Sequence, residues 1–203
     1  MTMNILNHPF QNDPILNKII LNLDTEFWKS DFSPFVELIL QCIFKSNGLK
    51  HMAVPHSKYV SVFGNAPKPE RILRMSMAEM KASGLSRPKA TLIRNIALHG
   101  FSNPDFWINI ATEDDDYIRR KLKQIKGLKP FDIEWFLFVL GRKDVDLLQD
   151  PVLQSAMTSL YGLTEEKVSI LTQLVEVSDR WRPNRSLACR AVYGWWHTKQ
   201  SQT

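Results

Sequence analysis

With 203 residues, 44% of them apolar and 10% aromatic, the chain is long enough to bury a core and too apolar for an intrinsically disordered segment. A net charge of +5 and a pI of about 9.2 permit an anionic partner without requiring one. Two cysteines cannot supply the roughly four thiolates of an iron–sulfur cluster, and no apolar run reaches the roughly 18 residues of a membrane span.

Residues 1–20 show neither the basic n-region nor the long apolar core of a signal peptide. The chain is therefore expected to be a soluble, intracellular monomer, cytoplasmic in a bacterium or nuclear in a eukaryote. The five histidines form no pair on one helix face, so no side-chain metal site is expected. Cys42 and Cys189 fall inside apolar helical patterns and read as buried, reduced thiols.

Periodicity predicts helices throughout and no sheet, in one domain spanning 1–203 with two helical lobes. Asp13-Pro14 is a cap and first-turn pair for a helix over Ile15–Leu23. Ser33-Pro34 opens the next, Phe35–Phe44, apolar almost all round and so buried. A break over Lys45–Leu49 leads into a helix ending at Phe63-Gly64, which Pro55 should kink. Short helices follow over Arg71–Met75 and Met77–Ser83. Ser86 is placed to cap a helix running to Leu98, with His99-Gly100 as its stop. Phe101–Ile110 reads as irregular or a short helix, and Thr112 as the cap of the acidic-headed helix after it.

The centre of the chain is a hairpin over residues 122–142. Gly127, just past a charged helix, suits a C-terminal cap, and Pro130 suits the first turn of the very apolar helix that follows. After Leu140-Gly141-Arg142 comes an acidic link, Asp144-Val145 to Asp150, then a helix closing on Leu160-Tyr161-Gly162-Leu163. Helices from Thr164 to about Trp181 and from Leu187 onward complete the chain.

These stretches resemble the helix-hairpin-helix DNA glycosylases, specifically the 3-methyladenine glycosylase II branch. The likeness rests on Ile125-Lys126-Gly127-Leu128-Lys129-Pro130-Phe131 at the turn, Leu140-Gly141-Arg142, the acidic segment to Asp150, and Leu160 to Leu163. Gly84-Leu85-Ser86 with Lys89-Ala90, and Trp181-Arg182-Pro183-Asn184-Arg185-Ser186, extend it to roughly residues 33–198. It implies an all-α, two-lobed helical fold and a monofunctional hydrolase that removes alkylated bases of the 3-methyladenine or 7-methylguanine type from double-stranded DNA. It also implies a monovalent cation at the hairpin carbonyls of Ile125 and Gly127, and no other cofactor.

Such an enzyme must extrude the nucleotide from the stack. The resemblance assigns Asp150 as the catalytic carboxylate, which stabilises oxocarbenium character at the sugar. It assigns Phe131 and Trp135 to the base pocket, where electron-rich rings attract a cationic base. DNA contacts fall to Lys126, Gly127, Leu128 and Lys129 on the hairpin, to Lys45, Ser46 and Asn47 in the wedge loop, and to Lys89. Each residue also has a plainer reading: Asp150 as a helix cap, Phe131 and Trp135 as core, Lys89 as a solvated lysine. Phe131 stands where lyase relatives have a Schiff-base lysine, so no strand cleavage is expected.

The hairpin departs from the family pattern. Lys129 replaces a glycine, Asp132-Ile133 replaces Thr-Ala, and Lys45 to Gly48 lack the glutamine pair and the bulky wedge. Those departures motivate a second reading, a catalytically weak or inactive protein that binds DNA or senses lesions. A protein-interaction scaffold is the third.

Overall fold

The computed structural model describes residues 9–10, 12–21, 32–44, 63–64, 67–165 and 168–201, and every regular element among them is a helix. The all-α expectation is borne out. In chain order the elements are α1 (Pro14–Ile20), α2 (Pro34–Phe44), α3 (Pro69–Arg74), α4 (Met77–Ala82), α5 (Arg87–Ser102) and α6 (Pro104–Asn109). Then come α7 (Asp115–Leu122), α8 (Pro130–Val139), α9 (Pro151–Tyr161), α10 (Ile170–Asp179) and α11 (Arg185–Gln200). The expected kinked helix around Pro55, and the wedge-loop residues Lys45, Ser46 and Asn47, lie outside the described residues. The chain divides into two compact units, residues 30–136 and residues 1–29 with 137–203.

In the unit of residues 30–136, α5 is the element against which α2, α3, α4 and α6 pack. Its buried face is Ala90, Ile93, Ile96, Ala97 and Gly100, at helical spacing. The expectation that His99-Gly100 stops this helix is corrected, because the helix continues to Ser102. Gly100 serves close packing instead: a Cβ there would lie 2.7 Å from Phe35 Cε2 and 3.1 Å from Pro69 Cγ. Phe35, Val36, Leu38, Ile39, Leu40 and Cys42 are buried along α2, as its all-round apolar pattern requires.

Two expected caps also differ. Ser86 has the extended backbone of an N-cap but its side chain makes no capping bond. The cap before α7 is Asp114, not Thr112: Asp114 Oδ1 accepts the N–H groups of Asp116 at 2.9 Å and Tyr117 at 3.1 Å. The Thr112 hydroxyl turns back to the Asn109 carbonyl at 2.9 Å. A carboxylate outcompetes a hydroxyl as acceptor for helix-start donors.

In the other unit, α1 and α9 pack on α11, and α10 packs on α9. Asp13 is the expected cap of α1, its Oδ1 accepting Ile15 N–H at 3.1 Å and Leu16 N–H at 2.9 Å. Its Oδ2 does more, accepting the Tyr161 hydroxyl at 2.6 Å and the Trp181 indole N–H at 3.4 Å. One carboxylate thus ties the start of α1 to the end of α9 and the segment before α11. Gly162, at φ 61°, ends α9 in the left-handed region. Cys42 and Cys189 are both buried, as expected, and burial pushes the Cys189 thiol far up. Among the described residues no helix is long and apolar enough to cross a membrane.

Candidate functional site

The hairpin lies in the unit of residues 30–136. α7 ends at Leu122 with Lys123 as its cap, so Gly127 is not the C-cap that its sequence context suggests. It turns the chain later, at φ 95°, and no non-glycine among the described residues has positive φ. Lys129 therefore needs none of the freedom of the glycine it replaces. Leu128 N–H donates to the Ile125 carbonyl at 3.1 Å, and both side chains are buried under the turn. Lys126 and Lys129 are exposed. A fork from Arg119 on α7 to Glu134 on α8, at 2.8 and 2.9 Å, braces the hairpin. That pairing drives the Arg119 guanidinium pKa further up.

The start of α8 is closed from within. The Lys129 N–H donates to Asp132 Oδ2 at 3.0 Å, the arrangement in which a third-position acid caps its own helix. Asp132 is 2% exposed, and its carbonyl accepts Gln41 Nε2 at 2.7 Å. Pro130 has no N–H to offer. Of the donors that would cradle a phosphate, Leu128 and Lys129 are thus engaged inside the protein, and a carboxylate stands where an anion would bind. Of the two carbonyls that the resemblance gives to a cation, Ile125 and Gly127, that of Ile125 accepts the Leu128 N–H at 3.1 Å, and between them the Lys126 carbonyl accepts the Asn95 amide at 2.7 Å.

Phe131 and Trp135 lie one turn apart on α8, ring centroids 6.4 Å apart and tilted by 48°. Phe131 is half-buried, whereas Trp135 is 8% exposed. Lys89 is half-buried, and its ammonium donates to the Ile43 carbonyl in the last turn of α2 at 2.7 Å. A cation there satisfies a helix-end carbonyl and complements the dipole, a structural use of this lysine.

Asp150 lies in the other unit, at the N-cap of α9. Its Oδ1 accepts Val152 N–H at 2.8 Å, and its Oδ2 accepts the Tyr193 hydroxyl at 2.5 Å. Tyr193 on α11 is fully buried. Its phenol pKa is pushed well above the usual value, by burial first and then by the Asp150 charge, so the hydroxyl remains a donor. The acid is therefore held at both oxygens, each of which keeps a second lone pair. Its expected role as a helix cap is real, and it does not exclude a second role.

Sequence reasoning missed the residues that place this acid. Arg185 forks onto Asp144, with Nε to Oδ1 at 2.7 Å and Nη2 to Oδ2 at 3.2 Å. Ser186 N–H donates to the Lys143 carbonyl at 3.0 Å, and its hydroxyl accepts Val145 N–H at 3.3 Å. Arg185-Ser186 thus clamps the link 143–150 onto the start of α11. The signal was present as a motif similarity at 181–186, but no spacing rule connects it to residues some forty positions earlier.

No protein-family model matches the chain, and no curated protein matches it. Solved structures do. A DNA-3-methyladenine glycosidase from Bacillus halodurans aligns at 23% identity and a TM-score of 0.75, covering 98% of this chain and 92% of that one. The 3-methyladenine DNA glycosylase of Schizosaccharomyces pombe, solved with abasic DNA, aligns at 22% identity and a TM-score of 0.73, covering 96% and 93%. A 3-methyladenine DNA glycosylase from Archaeoglobus fulgidus aligns at 19% identity and 0.66, covering 95% and 70%. The chain has the fold of the helix-hairpin-helix DNA glycosylases.

Proposed function

We propose that this protein is a monofunctional DNA glycosylase that hydrolyses the N-glycosidic bond of alkylated bases, of the 3-methyladenine or 7-methylguanine kind, in duplex DNA. The observation that carries the reading is the setting of Asp150: a carboxylate at a helix start, held by Val152 N–H and by a buried phenol. Such a group stabilises positive charge developing at the sugar and orients the attacking water. Water adds at the anomeric carbon, the base leaves with the bonding electrons, and the water's surplus proton passes to solvent. An alkylated base already carries positive charge and departs readily, so one carboxylate suffices. Phe131 offers a ring face to such a cation, and Trp135 packs beside it. Lys126 and Lys129 supply charge at the hairpin surface.

A second reading is favoured by one specific observation. The Lys129 N–H is capped by Asp132, which weakens the hairpin as a phosphate anchor. On that reading the protein binds damaged DNA and turns over slowly or not at all.

Alkylated duplex incubated with purified protein, at salt between about 50 and 200 mM, distinguishes the two. Free methylpurine released by the wild type and none by Asp150→Asn supports the enzyme. Lesion binding by both proteins with release by neither establishes the second reading.

A further inference from the structure

The unit of residues 30–136 has a basic feature apart from the hairpin. α4 and α5 flank a groove of about 480 Å³ whose walls include Met77, Lys81, Arg87, Thr91, Arg94 and Asn95. The α5 members recur at i, i+4, i+7 and i+8, which is one helix face. Three of the six are cationic, and no acid lines the groove among the described residues. The nearest acid in sequence, Glu79, is drawn into a capping box at the start of α4. It accepts the Ser76 N–H and hydroxyl, both at 2.7 Å.

Two hydrogen bonds organise the groove. Arg94 donates from Nη1 to the Met75 carbonyl at 2.6 Å, which holds its guanidinium at the wall and lowers the entropy lost when a ligand binds. Asn95 donates to the Lys126 carbonyl at 2.7 Å, so the groove face continues to the exposed hairpin lysine. Basic side chains outnumber acidic ones seven to two between residues 67 and 100. From Arg87 to Asn95 the helix rises about 12 Å, a length on the order of three phosphate charges along one DNA strand.

We propose that this groove is a docking site for the phosphate backbone of duplex DNA, providing the grip that the capped hairpin lacks. The partner's identity rests on the glycosylase reading; the site itself rests on the groove.

The test is fluorescence anisotropy of the full chain with a labelled duplex over a salt series. The variant is Lys81→Ala/Arg87→Ala, both exposed positions, with thermal melting to confirm folding. Each lost phosphate contact removes about 0.9 from the slope of log affinity against log salt. The double variant should therefore lose about 1.8 and bind all sequences more weakly. Arg87→Lys should restore most of the loss at its position. The control Lys18→Ala/Arg180→Ala removes the same charge from the other unit and should leave the slope within about 0.5 of wild type.

An unchanged slope in the groove variant, or an equal loss in the control, overturns the proposal. Base release measured in parallel separates the two claims. Groove-dependent binding without release overturns the glycosylase reading and upholds the groove. Release by a wild type whose binding ignores the groove does the reverse, and a wild type that neither binds nor releases overturns both.

Discussion

The Tyr193 hydroxyl donates to Asp150 Oδ2 at 2.5 Å from a fully buried position on α11. The phenol fixes the carboxylate's orientation without taking its charge. Tyr193→Phe keeps the ring and removes the donor. A loss of about 1–2 kcal/mol in denaturant stability is expected. If Asp150 is the catalytic acid, the single-turnover rate of base release should also fall, by roughly tenfold or more, while KM stays near its wild-type value. A stability loss with an unchanged rate would show that the bond serves folding alone.

Asp150 itself separates capping from chemistry. Asparagine is as good a helix cap as aspartate, whereas alanine removes the acceptor that Val152 N–H uses. Asp150→Ala should cost about 1 kcal/mol more than Asp150→Asn in urea unfolding. Both should be equally inactive in base release, because neither carries the charge.

Asp132 stands against DNA binding as the hairpin is built. Asp132→Asn retains an acceptor for the Lys129 N–H and removes the charge. Removing one repulsion is worth on the order of 1 kcal/mol at 4 Å in water, so duplex binding at low salt should tighten by about fivefold. Anisotropy titration checks this, and the gain should fade as salt is raised.

His99 gives the fold a pH dependence. It is 8% exposed between Phe106 and Trp107, with Nδ1 accepting the Trp107 indole N–H at 3.2 Å. Its Nε2 is buried without a partner among the described residues. Burial, and secondarily Lys121, lowers its pKa below 6.5. Above pH 6.5 the imidazole is neutral in both folded and unfolded chains, so it adds no pH dependence there. As pH falls below 6.5, the unfolded chain takes up a proton that the native state resists, and stability is lost. Urea midpoints at about pH 7.5 and pH 5 should drop more for the wild type than for His99→Gln.

Gly100 tests packing. A methyl group there meets Phe35 Cε2 at 2.7 Å, and the Phe35 ring is held edge-on to Trp107 with centroids 5.4 Å apart. Overpacking of about 1–3 kcal/mol should exceed the roughly 1 kcal/mol that alanine gains over glycine inside a helix. Gly100→Ala should therefore lower the melting temperature. An increase would mean that the ring moves aside freely.

Local chemistry made several elements legible in the sequence. Asp13-Pro14 and Asp150-Pro151 mark helix starts because a carboxylate satisfies the free N–H groups and proline has none to lose. The apolar runs of α2 and α8 predict burial because water rejects a helix that is apolar on every face. Thr112 and Gly100 misled for the same reason: each suits a helix end, but neighbours decided. Asp114 was the stronger acceptor, and Phe35 needed the space at Gly100.

The central hairpin shows the division most clearly. By itself the sequence determined that a turn with one obligatory glycine joins a charged helix to an apolar one, and that an acid follows at a helix start. Only the tertiary structure decided that Asp132 caps the Lys129 N–H, that Lys89 serves the end of α2, and that Arg185, Ser186 and Tyr193 hold the Asp150 segment. Caps and turns are governed by residues within about four positions of one another. The partners of Lys89 and Asp150 lie some forty residues away along the chain, and only packing brings such groups within hydrogen-bonding distance.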